Sequence, residues 1–470
     1  MTLRPILRLG FLAGQPSSPV VQKSLSSLAH QGTPGWLQRI LEDTSAPPKL
    51  YAWTAANLQG ASTQAVEVCG RGDAVGKSSK ERIYILGIGN LGRLIASSLA
   101  KLESKPAVTL ILHRKALLEY WNSGPGIEIT RAGQAERFSD FDVEWWTEEP
   151  PASGPLTEAT AGDGIVNLIV TTKASDALPQ VDRLRKYLSG NSTVAFVQNG
   201  MCKMWPPLGA VYNGHRYPNR NSPNYVACVT AHGVTSLGPF KSRHASVVDL
   251  SVGPVSSDAK AANQSAYLAE QLVAAPYLYG KRVAQSELWV LQLEKLVVNS
   301  VINPLTAILR CRNGDLFVSQ DTQLPIVIDM LIREASVVLK ALVMHPSSAE
   351  ILNDTSAVHT QTRRIPTNSA AQEAKEQLLN RFSFQNLRDM IYRVGHRVRE
   401  NTSSMLQDVN AGKQTEVRDF NGWLVDTARL LDVNLELPTH KRLITMVEDG
   451  LVISTNQLGD HFDVSVEEMM

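Results

Sequence analysis

Ile83-Tyr84-Ile85-Leu86-Gly87-Ile88-Gly89-Asn90-Leu91-Gly92 is an apolar run that enters a GxGxxG turn, and its reading decides the fold. In such a turn the first glycine permits a sharp bend after a strand. The second lets the backbone approach a pyrophosphate, and the third lets the following helix pack closely on the sheet. The free N–H groups that open the helix then face the phosphates. A glycine-rich turn alone is a weak signal. Here a strand-like run, Arg82–Leu86, precedes it, a helix-like segment, Leu91–Leu102, follows, and a second strand, Val108–Leu112, comes next. That βαβ setting predicts a dinucleotide site made by Gly87, Ile88, Gly89, Asn90, Leu91 and Gly92.

The end of the second strand selects the nucleotide. NAD-binding folds carry an acid there to accept from the ribose 2′-OH. This strand ends in His113-Arg114-Lys115, with no acid before Glu119. A guanidinium pairs with a 2′-phosphate that a carboxylate would repel, so Arg114 predicts NADP(H).

Working outward, strand-like runs recur at Ile165–Thr171, Thr193–Val197, Val226–Thr230 and Ala245–Leu250, with a crossover helix at Asp176–Leu188. Strands alternating with helices imply a mostly parallel sheet covered on both faces. Trp145–Gly164, rich in Pro, Thr and Gly, reads as a surface loop. From about Ser265 the period becomes helical, most clearly over Ser286–Asn303, Thr322–Leu342, Ala371–Val394 and Thr415–Leu431. Pro346–Asn368 reads as an inserted loop. The division expected is an N-terminal extension over 1–80, an α/β Rossmann-like dinucleotide-binding domain over 81–258, and an all-α domain over 259–470.

Composition narrows the partners. The 470 residues carry 46 Lys and Arg against 45 Asp and Glu, a net charge of +1. No basic excess points to nucleic acid or to an anionic membrane surface. Cys69, Cys202, Cys228 and Cys311 are scattered without a CxxC pair, which argues against a zinc site or structural disulfides. No metal and no membrane span is expected. Residues 1–41 contain no Asp or Glu but include Arg4, Arg8, Lys23 and Arg39. Such a start is that of a mitochondrial transit peptide or of an extension without an address, so the expected location is cytoplasmic or mitochondrial.

A second chemistry-bearing pattern lies in the helical half. Lys295, Asn299 and Asn303 stand at i, i+4 and i+8, one stripe of a helix whose other positions are mostly Leu, Val and Ile. Polar groups on a buried helix need partners or a ligand. Pro304 disfavours helical geometry at Asn303, so the helix is expected to kink or end there. Glu416, beside Thr415 and Asp419 at the start of a helical segment, reads on pattern alone as a surface residue.

Taken together, these stretches resemble the ketopantoate reductase (2-dehydropantoate 2-reductase) family. The resemblance rests on the Gly87–Gly92 turn, TTKASDA at Thr171–Ala177, VQNGM at Val197–Met201, KLVVNSVINPLTAI at Lys295–Ile308 with RNG at Arg312–Gly314, and Ser403–Val409 with Thr415–Gly422. It implies a Rossmann-like domain followed by a helical domain like the C-terminal domain of 6-phosphogluconate dehydrogenase. It implies NADPH-dependent reduction of 2-dehydropantoate to pantoate, on the route to pantothenate and coenzyme A. Lys295 matches the family's general acid and Glu416 its active-site acid. Asn299, Asn303, Asn313 and Ser404 match substrate-binding positions. Lys173, Asn199 and Arg114 match cofactor contacts. Two other readings keep the fold: reduction of a different 2-keto acid, and a non-catalytic NADP-binding scaffold. A homodimer is left open.

Overall fold

The computed structural model describes residues 33–58, 79–256, 266–318, 323–353, 368–431 and 434–462. The transit-peptide expectation for the acid-free start falls mostly on residues 1–32, and the centre of the 346–368 insertion on 354–367. Both lie outside the described residues.

The strands are β1 Tyr51–Trp53, β2 Ile83–Leu86, β3 Val108–Leu112, β4 Ile127–Arg131, β5 Gln134–Phe138, β6 Asp142–Thr147, β7 Asn167–Val170, β8 Thr193–Val197, β9 Asn224–Thr230, β10 Gly233–Gly238, β11 Lys241–Ser246, β12 Leu250–Pro254 and β13 Gly280–Arg282. Nine of them form one sheet in the order β1-β6-β3-β2-β7-β8-β9-β12-β13. Its centre, β6-β3-β2-β7-β8-β9, is parallel throughout. Numbered along the chain, those six strands follow the 3-2-1-4-5-6 order of dinucleotide-binding sheets. The switch point falls between β2 and β7, beside the glycine turn.

Strand periodicity explains the two-sided core. Ile83 and Ile85 pack on one face with Leu94, Ile95 and Leu99 of the following helix. Tyr84 and Leu86 pack on the other, in the cluster shared with the helical half. Alternate side chains of a strand point to opposite faces, so a parallel strand buried on both must be apolar at every position.

The helices used below are α1 Gly35–Glu42, α2 Asn90–Leu99, α3 Lys115–Ser123, α4 Ala174–Arg183, α5 Leu208–Arg216, α6 Ala266–Ala274, α7 Gln285–Leu309, α8 Gln323–Met344, α9 Asn368–Arg381, α10 Phe384–Arg397, α11 Ser404–Asn410, α12 Val417–Leu430 and α13 Pro438–Glu448. The segment expected as one helix over Ala371–Val394 is two, because Ser383 caps α10 by accepting from the Asn386 N–H at 3.4 Å.

Three further expectations are corrected. Residues 33–58 are not a mere extension: β1 pairs antiparallel with β6, and α1 buries Leu37 and Ile40. The Trp145–Gly164 loop begins only after Thr147, because Trp145 and Trp146 belong to β6. Trp53 packs on Trp145 at 5.2 Å between ring centroids, and Asn57 Nδ2 donates to the Ser153 and Pro155 carbonyls, both at 2.9 Å. The N-terminal segment and the loop therefore order each other. The strand expected over Ala245–Leu250 is instead the end of β11 and the first residue of β12, with the gap between them at Val247–Asp249. A second sheet, β10-β11-β4-β5, sits against α2 and had not been foreseen.

At Pro304 the helix does not end, one of the two outcomes expected there. Helix α7 neither ends nor breaks at Asn303 but runs to Leu309. Proline has no N–H, so the Ser300 carbonyl loses its helical donor. Asn421 Nδ2 supplies one at 2.9 Å and also donates to His440 Nδ1 at 2.9 Å. With Nδ1 accepting, His440 carries its proton on Nε2 and donates to the Leu331 carbonyl at 3.1 Å. Burial holds this imidazole neutral, with its pKa down at about 4.

Candidate active site

The glycine turn is set by sterics. Gly87 has φ +94°, a left-handed conformation, and a Cβ there would lie 2.8 Å from Thr172 Cγ2. A Cβ on Gly92 would collide with the Gly87 carbonyl oxygen, whereas one on Gly89 would meet nothing within 4 Å. The turn is thus closed on its protein side and open above Gly89, which leaves room for a pyrophosphate to come close to the backbone. Arg93, one residue into α2 from the motif, locks it from behind. Its Nε donates to the Ile88 carbonyl at 3.1 Å, and Nη1 donates to the Gly238 and Lys241 carbonyls, each at 2.8 Å. Ser242 Oγ donates to Asn90 Oδ1 at 3.1 Å. The second sheet is therefore a brace for the turn. Arg114 stands exposed at the carboxyl end of β3 as the N-cap of α3, and enters no ion pair among the described residues. Open space above Gly89, free helix N–H groups and an unpaired guanidinium beside them fit a nicotinamide dinucleotide.

The Lys295 cluster gathers at the same edge of the sheet. Helix α7 presents Lys295, whose Nζ donates to Asn199 Oδ1 at 2.9 Å and to the Thr230 carbonyl. Asn199 Nδ2 donates onward to Glu416 Oε2 at 3.3 Å. Asn199 follows β8 in a turn made possible by Gly200, φ +77°, where a Cβ would come 3.1 Å from the Asp419 carbonyl. Thr230 ends β9, and Glu416 is the residue before α12. Carboxyl ends of parallel strands are where such folds bind ligands.

Burial governs the charges here. It pulls the Lys295 ammonium from 10.5 down to about 8, with Glu416 opposing. It pushes the Glu416 carboxyl from 4.5 up to about 7, against the Asn199 hydrogen bond and the nearby Lys173. Glu416 is 6 % exposed, so its reading as a surface residue is overturned. The cause is the convergence of β8, α7 and α12, which no local pattern reports. Paired groups shifted toward neutrality are what proton-transfer chemistry requires.

A second pairing lies farther along α7. Asn303 Nδ2 donates to Ser404 Oγ at 3.4 Å. Ser403 accepts from Thr306 Oγ1 at 2.7 Å and from the Leu406 N–H at 3.1 Å, which caps α11. Lys173 pairs with Asp408 at 2.8 Å and donates to the Gln414 carbonyl, tying β7 to the segment before Glu416. Asn299 is partly buried one turn from Lys295. Asn313 stands apart: its N–H donates to the Asn401 carbonyl at 3.1 Å, and its buried Oδ1 has no partner among the described residues. Three contributors were missed from sequence. The Thr230 carbonyl leaves no trace in residue type, and Asp408 looks like any helix acid. Ser403 had a signal, a hydroxyl residue just before an apolar helical run.

A six-stranded parallel dinucleotide-binding core with a burial-shifted lysine and glutamate at its carboxyl edge defines an oxidoreductase of the nicotinamide-dependent class. The chain belongs to the ketopantoate reductase family: the family model "Ketopantoate reductase PanE/ApbA" matches residues 83–257, and its C-terminal counterpart matches 287–450. It is 39% identical over 445 residues to a ketoisovalerate reductase of Gibberella fujikuroi, covering 90% of this chain and 97% of that one. A probable 2-dehydropantoate 2-reductase of Schizosaccharomyces pombe is 31% identical over 357 residues, 74% of this chain and 90% of its own. Among solved structures, D-mandelate dehydrogenase with NADH and anilino(oxo)acetate aligns at TM-score 0.53 and 15% identity, over 80% of this chain and 99% of that one. That likeness is one of fold.

Proposed function

We propose that the chain reduces a branched 2-keto acid with NADPH, taking 2-ketoisovalerate ahead of 2-dehydropantoate. The observation that carries the chemistry is the Lys295–Asn199–Glu416 chain at the edge of the dinucleotide-binding sheet. The preference for NADPH rests on Arg114, and the preference for 2-ketoisovalerate on the likeness to ketoisovalerate reductases along nearly the whole chain.

A bound reduced nicotinamide supplies hydride to the C2 carbonyl carbon. The chain's own residues do the rest. An ammonium has three N–H donors, and the Asn199 and Thr230 oxygens engage two, which fixes the direction of the third. That donor meets the carbonyl oxygen, stabilises charge as it develops there, and gives it a proton. Lys295 is left as a neutral amine and recovers its proton from solvent. Glu416 opposes premature loss of the proton, while burial makes the proton easy to give. Asn299 and the Asn303–Ser404 pair offer neutral donors to the substrate carboxylate without adding charge.

A second reading, 2-dehydropantoate, is favoured by the five family motifs. That acid carries a hydroxymethyl group where 2-ketoisovalerate has hydrogen, so a site built for it holds a polar group for the hydroxyl. Sites built around a substrate hydroxyl reject the analogue lacking it by about 10⁴-fold or more. The test is NADPH oxidation by the full chain with each acid in turn. A higher kcat/KM for 2-ketoisovalerate is expected. A higher value for 2-dehydropantoate overturns the preference and leaves the reaction class standing, and turnover of neither overturns both.

A further inference from the structure

Away from Lys295, α1, α4 and α12 line a half-open cleft of about 600 Å³. None of Lys295, Asn199, Glu416, Asn299, Asn303 or Ser404 lines it. Its volume suits a small molecule. Helix α1 precedes the residues matched by the family models, so one wall is an addition to the family's core.

The charges on the walls are of two kinds. Most are spoken for: Arg183 pairs with Glu148, Arg185 and Arg216 with Asp182, and Arg418 with Glu448. Lys203 and Arg39 form no ion pair among the described residues. Lys203 Nζ lies 5.2 Å from the centroid of the Trp36 ring, and burial pulls its pKa down with Asp419 opposing. Asp419, also on the lining, accepts from the backbone N–H of Ser175, and burial pushes its carboxyl up with Lys203 opposing. Two cations and a carboxylate that form no ion pair among the described residues therefore line one cleft, together with Trp36, Ile40 and Trp423. Opposite charges outside ion pairs line the same cleft, Lys203 and Asp419 partly stripped of water and Arg39 exposed, and together they suit a ligand bearing both charges.

We propose that this cleft binds a free α-amino acid with an apolar side chain. Its carboxylate meets Lys203 and Arg39, its ammonium meets Asp419, and its side chain lies against Trp36 and Trp423. The site is placed to act on catalysis. Lys203 follows Asn199 on the same loop, and Asp419 sits on the helix that starts at Glu416.

The test is calorimetric titration of the NADPH-saturated full chain with L-leucine, with N-acetyl-L-leucine, which lacks the ammonium, and with L-leucinamide, which lacks the carboxylate. L-leucine is expected to bind, and each capped analogue at least about tenfold more weakly, a loss of roughly 1.4 kcal/mol. Arg39→Gln, on an exposed helix surface, and Lys203→Gln are each expected to weaken L-leucine by a similar factor while leaving NADPH affinity and the thermal melt unchanged. No heat from millimolar L-leucine, equal binding of the capped analogues, displacement by 2-ketoisovalerate, or full binding by both variants overturns the proposal.

Discussion

The glycine turn and the Lys295 cluster lie at the same edge of one sheet but are held by opposite means. The turn is built from consecutive residues and stiffened by backbone: glycines that admit no Cβ, and Arg93 fastened to three carbonyls. The cluster is built from side chains that meet across as many as 217 positions and is stiffened by polar contacts in a partly dry site. A site meant to hold a large, rigid anion gains from steric exclusion. One meant to pass a proton gains from groups whose charge can change. The first should fail when an atom is added, the second when a charge is removed.

Removing the charge has the largest expected effect. Lys295→Ala should lower kcat by about 10²–10⁴, the usual range for a general acid, while NADPH affinity measured by fluorescence stays put. If both fall together, the two regions are one unit and the contrast fails. Adding an atom comes next: Gly92→Ala drives its methyl into the Gly87 carbonyl oxygen. Overpacking of that kind costs about 1–3 kcal/mol, so NADPH affinity should drop by roughly 5–150-fold, read by the same titration.

Asn421→Leu touches neither region directly. It strips the donor from the Ser300 carbonyl and from His440 Nδ1, and should cost about 1–3 kcal/mol in a denaturant melt. A smaller effect is expected of Arg93→Met, which leaves three carbonyls of the brace without their donor. KM for NADPH should rise about tenfold, the equivalent of 1.4 kcal/mol, with kcat little changed. A fall in kcat alone would move Arg93 to the catalytic side of the comparison.

The same contrast decides what was legible in the sequence. Gly87–Gly92 and the apolar strands around it could be read because their signals are consecutive and their geometry is local. The Lys295, Asn299, Asn303 stripe was legible as an anomaly on an apolar helix, but its meaning came from the family resemblance. Glu416 was misread because a charged residue beside a helix start has an ordinary explanation in capping, and only the fold brings Asn199 to it. That the helix continues past Pro304 has a related reason. The rule for a residue before proline is local, and Asn421, which gives the Ser300 carbonyl the donor that Pro304 lacks, lies 121 positions from Ser300. Strand β1 is three residues long, too short for alternation to show, and its partner had been read as loop.

The role proposed for Lys295 is that of proton donor, poised by burial against Glu416. The most direct test is kcat/KM for 2-keto acid reduction across the neutral and alkaline range, wild type beside Glu416→Gln. Lys295 must carry its proton to act, so activity should be full below about 8 and lost as pH rises through that value. Without the opposing carboxylate, the falling limb should move to lower pH in Glu416→Gln. A profile that stays flat past the ordinary lysine value of 10.5, or a limb that the substitution does not move, would contradict it.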